Sequence, residues 1–429
     1  MIFELRIKNF LSFKEEVTFS FEASRDKTFE DYQVVEVAPD TRILRLSIVY
    51  GANASGKSNL IEAFEFIRYF WFNNPENKDK STGVLPFLLD KMTPDEPSEF
   101  SLTFYIEGTK YMYSLELNKR IVFAEKLFVY PGTQPALIFE RKFNEGVSDI
   151  SFNPKRIKIS QTAKDEITVK CLPNMSVLAA YNQVNVAIPE MEKVIKWIKS
   201  QYHLPSIEPD TGLINYTELE VSKNKQTKNF ILNFLQKADY NITDIKTEII
   251  EENVPEHILS VLLSNTMDIP DDERERLKKE KTLKVTKTEF EHRVLNDKGE
   301  EEIFKLSKRN QSNGTLRTFG LAGVIRRTIE DNAFLAIDEI ESSLHPRLVE
   351  FIIEDFFKQK GQSQLLLTTH YDGLLEEDDL LRKDSIWFTN KKKSGATELY
   401  SLSDFRGVNR MSSLQKAYKY GKFGAIPNI

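Results

Sequence analysis

The sequence GANASGKS at residues 51–58 has the spacing of a phosphate-binding loop. Gly51, four intervening residues and then Gly56, Lys57 and Ser58 fit the P-loop pattern, in which backbone N–H groups curl around a phosphate. Lys57 would reach the β- and γ-phosphate oxygens, and the Ser58 hydroxyl would be placed to bind Mg²⁺. The predicted phosphate-binding residues are Gly51, Asn53, Ala54, Ser55, Gly56, Lys57, Ser58 and Asn59.

The residues on either side of this loop have the periodicity that a P-loop requires. Apolar residues before Gly51 form a run typical of a buried strand, and those after Ser58 recur at helical spacing. They are Leu44, Leu46, Ile48 and Val49 on the first side, and Leu60, Ile61, Phe64 and Ile67 on the second. Because strand, loop and helix agree, a nucleotide-binding site is favoured over a chance glycine-rich turn.

A second buried strand is predicted over Phe334–Ile337, and it ends in the adjacent carboxylates Asp338 and Glu339. Ligands of open α/β sheets bind at the carboxyl ends of the strands, where this pair would stand. Asp338 would hold Mg²⁺, and Glu339 would orient and polarise the attacking water. An acidic cap before the helical run that Pro346 opens is the other interpretation. The P-loop favours the functional one.

Two further segments complete the predicted nucleotide site. A third strand, at 364–367, leads to His370, although a lone histidine after a strand is more often a surface group. In QSNGT at 311–315, Ser312 can cap a helix, whose N-terminus is a site for anions. That segment alone indicates only an N-cap turn.

These motifs occur in a fixed order, and more distant segments extend the pattern over both ends of the chain. The segments are KNFLSFKEEVTFSFEA at 8–23, GANASGKSNL at 51–60, SNGTLRTFGLAG at 312–323, AIDEIESSLHPRL at 336–348, LLLTTHYDGLL at 365–375 and YKYGKFGAIPNI at 418–429. In these segments the chain resembles the prokaryotic AAA-type ATPases of family fifteen, which have the ABC-type head of RecF, SMC and OLD proteins.

The resemblance implies an α/β fold, namely an ABC-type P-loop ATPase head with a mixed sheet and a mixed α/β insertion. It implies ATP and Mg²⁺ as cofactors, and a homodimer or a higher even-numbered homo-oligomer. In such enzymes a signature loop caps the γ-phosphate that the other subunit's P-loop holds. This role would fall to Ser312, Gly314 and Thr315. His370 would be the switch histidine that contacts the γ-phosphate, and it would form the catalytic set together with Lys57 and Glu339.

The resemblance also places Ser12 and Phe13 beside the adenine. Two positions depart from the family pattern, since Gln311 stands where glutamate is usual and Tyr371 where aspartate or asparagine often follows the switch histidine. Neither departure changes a phosphate-contacting residue. A glutamine loop for Mg²⁺ and water would fall within about 83–104, where no residue is assigned to it.

Composition limits the class of protein. The chain has 429 residues, of which 40% are hydrophobic and 29% charged, as in ordinary soluble proteins. A formal net charge of −6 argues against a surface uniformly adapted to nucleic acid, although local basic patches remain open. The single cysteine, Cys171, excludes an internal disulfide and fits a reducing compartment. No signal-like start and no apolar run of roughly 20 residues occurs, so we expect a cytoplasmic protein.

Three segments are predicted. Residues 1–125 would form the N-terminal part of the head, which contains the P-loop. Residues 306–429 would form the C-terminal part, which contains the signature segment, the carboxylate pair and His370. Residues 126–305 would be a mixed α/β insertion that acts as a lid or docks a partner. Alternating apolar residues predict an N-terminal hairpin; they are Phe3, Leu5, Ile7, Val17, Phe19 and Phe21.

The resemblance implies the ATP-driven sensor or regulatory subunit of a bacterial anti-phage system that acts by abortive infection. The nuclease effector, Toprim-like or HNH, would be a separate protein, because no metal-binding Cys/His spacing or second acidic set stands outside the ATPase motifs. A RecF- or SMC-like ATPase that acts directly on DNA is the competing function. A nucleotide-gated scaffold without turnover is a third.

Overall fold

The computed structural model describes residues 1–144, 146–203, 211–238, 240–256, 258–259, 263, 271–377 and 379–427. The predicted insertion 126–305 and the closing segment 418–429 each include positions outside these described residues. The chain forms two compact units, Met1–Glu208 with Arg327–Ile429, and Pro209–Arg326. The first unit is therefore assembled from both ends of the chain.

Two sheets dominate the first unit. The strands are β1 Ile2–Lys8, β2 Val17–Ser20, β3 Val34–Ala38, β4 Thr41–Leu44, β5 Leu46–Gly51, β6 Ser98–Ile106, β7 Thr109–Leu117, β8 Val122–Tyr130, β9 Ala136–Asn144, β10 Val147–Phe152, β14 Phe334–Ile337, β15 Gln364–Thr369, β16 Ile386–Lys391 and β17 Thr397–Ser401. One sheet is antiparallel, with the order β10-β9-β8-β7-β6-β1-β2. The pairing of β1 with β2 confirms the predicted N-terminal hairpin.

The second sheet has the order β14-β15-β5-β16-β17 and is mixed. Its first four strands are parallel, and only β17 is antiparallel to its neighbour. Every residue of β5, β14 and β15 is buried, as expected of parallel strands covered on both faces. The strand predicted over Phe334–Ile337 is confirmed, and the third predicted strand extends two residues further, to Thr369.

The helix Lys57–Phe72 packs against both sheets. Phe66 lies 5.0 Å from Phe100 of β6, and Phe64 lies 4.9 Å from Phe334 of β14, measured between ring centroids. This helix starts at the P-loop lysine, so its packing fixes the loop relative to the mixed sheet. The other helices of the unit are Glu30–Gln33, Gln161–Lys170, Val177–Tyr181, Pro189–Gln201, Pro346–Lys358 and Leu414–Lys419.

The second unit holds a three-stranded antiparallel sheet with the order β11-β12-β13. Its strands are β11 Ile242–Asn253, β12 Thr282–Leu295 and β13 Glu301–Ser307, and its helices are Thr211–Lys223, Lys225–Lys237 and Asp271–Glu280. A further helix, Asn313–Glu330, contains the boundary between the units. Within the second unit an ion pair of 2.6 Å joins Lys228 to Asp244 of β11.

The compact second unit overlaps the predicted insertion of residues 126–305 without coinciding with it. Residues 126–208 belong to the first unit, because β8 continues the antiparallel sheet from β7. A fully buried ion pair of 3.8 Å joins Glu125 of β8 to Arg141 of β9, the next strand of the same sheet. The Glu125 carboxylate also accepts from the Ser176 hydroxyl and the Val177 backbone, at 2.8 and 2.9 Å.

Candidate functional site

The order of the parallel strands brings three predicted segments to one edge of the mixed sheet. The P-loop follows β5, His370 follows the adjacent β15, and Asp338 and Glu339 follow β14 one strand further out. Since the carboxyl ends of parallel strands share one edge, residues far apart in the chain become neighbours there.

The backbone of the P-loop adopts a conformation and a close packing that depend on its glycines. Gly56 has φ 107° and ends the loop directly before the helix that starts at Lys57. A Cβ atom at Gly51 or Gly56 would collide with the hydroxyl groups of Thr389 and Thr397, respectively. The start of a 16-residue helix points its unpaired N–H groups into this loop, which favours an anion there.

Lys57 and His370 meet at the centre of this edge. Lys57 Nζ donates to Gly51 O at 3.0 Å and lies 2.9 Å from His370 Nε2. Burial lowers the pKa of Lys57, whereas the nearby Asp338, Glu339 and Glu341 raise it. Burial and the Lys57 ammonium lower the pKa of His370, so its imidazole is neutral near pH 7 and can accept from Lys57.

Thr368, the next-to-last residue of β15, fixes both carboxylate residues. Its hydroxyl donates to Asp338 Oδ1 and accepts from the Glu339 backbone N–H at 2.8 Å. Glu339 has φ 44°, in the left-handed region, and its Oε1 lies 3.7 Å from His370 Nε2. Glu341 fixes the backbone of the histidine, because Glu341 Oε1 accepts a hydrogen bond from the His370 backbone N–H at 2.5 Å.

A cavity of about 320 Å³ opens at this edge, and most of the predicted phosphate-binding residues line it. The lining residues are Ser12, Asn53, Ala54, Ser55, Gly56, Lys57, Ser58, Asn59, Glu339, His370 and Lys391. Sequence reasoning did not find Lys391, nor the two threonines that brace the loop from β16 and β17. Thr389 Oγ1 lies 2.7 Å from Ser55 Oγ, and Thr397 Oγ1 lies 2.7 Å from Ser55 O.

The donors fit a magnesium ion that is bound together with a phosphate. The Ser58 hydroxyl and the Asp338 carboxylate are oxygen donors of the kind that Mg²⁺ prefers, and the ion usually takes its other ligands from substrate phosphates and water. In the described part of the chain, no group of three or more His, Cys, Asp or Glu side chains could hold a metal ion by itself.

The two residues expected beside the adenine differ in position. Ser12 lines the cavity and bonds to the loop, since its Oγ accepts from Asn59 Nδ2 at 2.6 Å. Phe13 is fully buried in the hydrophobic core, so its ring is not available to a base in this structure.

The signature segment lies in the second unit. Ser312 is exposed and caps the helix Asn313–Glu330 as predicted, because its Oγ accepts from the Thr315 backbone N–H at 3.1 Å. The Thr315 hydroxyl also contacts Ser312, with 2.8 Å between Thr315 Oγ1 and Ser312 Oγ, and Gly314 lies in the first turn of the helix. The helix start is therefore open to a ligand from outside the unit.

The mixed sheet, with a P-loop, a carboxylate pair and a histidine at one edge, defines an ABC-type P-loop ATPase head, as predicted. The chain matches the family model described as "AAA domain, putative AbiEii toxin, Type IV TA system" over residues 46–164 and 214–376, more than half of its length. It belongs to this family. The predicted resemblance to AAA-type ATPases with an ABC-type head is thus confirmed.

Similar solved structures share little sequence with the chain. One is an Smc head bound to the C-terminal winged-helix domain of ScpA. It is 14% identical to this chain, the alignment covers 97% of this chain and 99% of the Smc head, and the TM-score is 0.40. The SMC head domain from Thermotoga maritima is 13% identical, covering 93% and 98%, with a TM-score of 0.39. A Pyrococcus furiosus Smc head with an extended coiled coil, bound to the ScpA C-terminal domain, is 14% identical, covering 98% of each chain, with a TM-score of 0.35.

No curated protein is significantly similar to the chain. Among the helices of the described residues, none combines the length and the apolar character needed to cross a membrane.

The contact between Lys57 and His370 has a measurable consequence. In Lys57→Met the pKa of His370 should rise, because the ammonium that lowers it is gone while the carboxylates of Glu341, Glu339 and Asp338, which raise it, remain. Histidine-selective NMR titration measures this, with His370→Gln to assign the signal. Lys391→Met removes another lysine of the same cavity and should change the pKa less. An unchanged midpoint in Lys57→Met would contradict the contact.

Proposed function

We propose that the chain binds ATP and Mg²⁺ at the P-loop, closes as a homodimer, and hydrolyses the nucleotide. The observation that carries the proposal is the cluster of Lys57 Nζ, His370 Nε2 and Glu339 Oε1 at one cavity, with distances of 2.9 and 3.7 Å from the histidine. This cluster holds together a cation that can bind phosphate, a neutral imidazole, and a carboxylate that can polarise water.

Each group has a separate chemical role. Lys57 balances the charge of the β- and γ-phosphates, and Ser58 with Asp338 would hold Mg²⁺, which neutralises charge that develops on the phosphate oxygens. Glu339 orients and polarises the water, and His370 contacts the γ-phosphate. The Thr368 hydroxyl positions the metal-binding and water-activating residues together, since it bonds to both Asp338 and Glu339.

The signature residues would complete the site of a second copy. Ser312, Gly314 and Thr315 form a helix start at which the Ser312 side chain is exposed, and this helix start suits the γ-phosphate of ATP held by a partner's P-loop. Two such sites require a head-to-tail homodimer, from which higher even-numbered oligomers can be built.

We further propose that this cycle regulates a separate effector, a Toprim-like or HNH nuclease, in a cytoplasmic anti-phage system that acts by abortive infection. The family description, which names a type IV toxin–antitoxin system, supports this proposal. Residues 126–305 are the proposed lid or docking region for the partner.

Direct action on DNA is the second candidate, and a basic groove in the second unit favours it. The groove encloses about 720 Å³ and is lined by six lysines, Lys223, Lys225, Lys228, Lys246, Lys287 and Lys305. Three of them form ion pairs, with Asp244, Glu291 and Glu289. The remaining positive charge is of the kind that binds a nucleic-acid backbone.

Glu339→Gln should bind ATP and lose hydrolysis by about 100-fold or more, because the amide cannot accept a proton from water. Phosphate release measures turnover, and light scattering with ATP should show an accumulated dimer. Glu376→Gln, at an exposed carboxylate of the 3-10 helix Asp372–Glu376, is the matched control and should retain activity. Retained turnover in Glu339→Gln would exclude Glu339 as the catalytic carboxylate.

Lys57→Ala and Ser312→Arg should each be inactive alone and should complement each other when mixed. A mixed dimer has one complete site, so random pairing should restore roughly a quarter of the wild-type rate. Differently tagged chains show whether mixed dimers form. If they form without activity, either the trans arrangement or the independent firing of the two sites is wrong.

The purified chain with ATP and Mg²⁺ or Mn²⁺ should leave plasmid, linear and single-stranded DNA uncut. Cleavage that disappears in Lys57→Ala would favour direct DNA processing over a separate effector. Salt-sensitive DNA binding that Lys223→Glu/Lys225→Glu abolishes would assign the lysine groove to DNA.

A further inference from the structure

A cavity of about 800 Å³ in the first unit lies apart from the P-loop. Its lining comes from the segment before β3, from the helix Pro346–Lys358 and from the residues after the 3-10 helix Asp372–Glu376. Neither the family resemblance nor the proposed ATP site gives this cavity a role. We name it the acidic cleft.

Carboxylates dominate the rim of the acidic cleft. Five of them line it, against three cationic side chains, and Lys358 is already paired with Glu354 at 3.3 Å. The carboxylates are Asp31, Glu350, Glu354, Glu377 and Asp379. Burial, and then repulsion by Glu350, Asp379, Glu376 and Glu354, raises the pKa of Glu377. The chain therefore places these carboxylates together without enough cations to balance them.

A buried arginine forms part of the lining and has unused hydrogen-bonding capacity. Arg45 is 2% exposed, and its guanidinium lies 4.8 Å from the centre of the Phe356 ring. Its Nη1 donates to Tyr32 O at 3.0 Å, whereas its Nη2 is buried and has no hydrogen-bond partner among the described residues. A buried donor without a partner costs free energy, so an acceptor supplied by a ligand would stabilise it.

Part of the wall of the acidic cleft is aromatic. Tyr32 and Phe357 pack edge to face with ring centroids 5.7 Å apart, and Tyr32 is 37% exposed. Aromatic surface beside carboxylates suits side chains with a long aliphatic stem and a cationic end. The carboxylates come from separate segments and do not form a metal-binding group in the described chain, so several spaced cations fit them better than a single ion.

We propose that the acidic cleft binds a basic segment of a partner protein. Its arginine or lysine side chains would pair with the carboxylates of the rim, and their stems would pack on Tyr32 and Phe357. A main-chain carbonyl of the segment would accept from the Arg45 guanidinium.

The acidic cleft is connected to the ATP site through Tyr371. Glu350 lines the cleft, and its Oε1 accepts from Tyr371 Oη at 2.8 Å. Tyr371 directly follows His370, which lies 2.9 Å from Lys57. A cation that pairs with Glu350 would compete with this tyrosine and change the position of the histidine. This coupling rests on the proposed ATPase function, whereas binding to the acidic cleft does not.

Fluorescence polarisation of labelled six-residue peptides with three arginines tests the binding to the full chain without nucleotide. Six extended residues span about 20 Å. Glu354→Gln/Glu377→Gln should weaken binding by about tenfold, as expected for the loss of two partly exposed ion pairs. Glu22→Gln/Glu76→Gln makes the same change of charge at exposed sites elsewhere and should leave the affinity unchanged. Peptides with citrulline in place of arginine should not bind.

Two outcomes would overturn the acidic cleft as a binding site: no binding of the arginine peptide, or equal weakening by both double variants, which indicates nonspecific attraction. Thermal melting confirms that each variant is folded.

The coupling is tested with the same peptide and ATP. Saturating peptide should change wild-type turnover, and Tyr371→Phe should bind the peptide but lose this response. Unchanged wild-type turnover overturns the coupling and leaves the binding site intact. Absence of turnover under all conditions overturns the proposed ATPase function, while the affinities measured without nucleotide still stand.

Discussion

Three parallel strands that are distant in the chain bring Lys57, His370 and Glu339 to one edge of one sheet. The site depends on this strand order, because β15 lies directly beside β5 and β14 directly beside β15. Hydrogen bonding between adjacent strands fixes their spacing at about 4.8 Å. The 2.9 Å contact between Lys57 and His370 follows from that spacing, as does the reach of the Thr368 hydroxyl to the residues after β14.

Short hydroxyl side chains hold the geometry of the candidate site in place. Thr368 bonds to Asp338 and to the Glu339 backbone, while Thr389 and Thr397 bond to the P-loop residue Ser55. A threonine has a single rotatable bond before its hydroxyl and loses little conformational entropy when it is fixed. The loop and the carboxylates are therefore oriented by rigid strands, which is the arrangement that the proposed hydrolysis requires, since it depends on positioning.

Local spacing was enough to predict the P-loop, the strand ending in Asp338 and Glu339, and the helix cap at Ser312, since each depends on a few consecutive residues. The order β14-β15-β5-β16 was not predictable from the same patterns, because nothing local specifies which buried strands become neighbours. The bracing threonines went unnoticed since threonine is ordinary in buried strands. Phe13 lay in a matching segment, but its burial depends on packing across both sheets. The predicted boundary at residue 125 falls inside β8, because the pairing of this strand with β7 places it in the first sheet.

The position of β5 has a consequence for synthesis of the protein. Both neighbours of β5 are made long after it, since β5 ends at Gly51 while β15 and β16 begin at Gln364 and Ile386. At translation rates of about 5–20 residues per second, the strand waits roughly 15–60 s for its first partner. A strand that is buried along its whole length in the folded protein is an aggregation hazard while both of its edges are open. A ribosome that stops before β15 releases a chain with an intact P-loop sequence but without the mixed sheet that holds the loop in place.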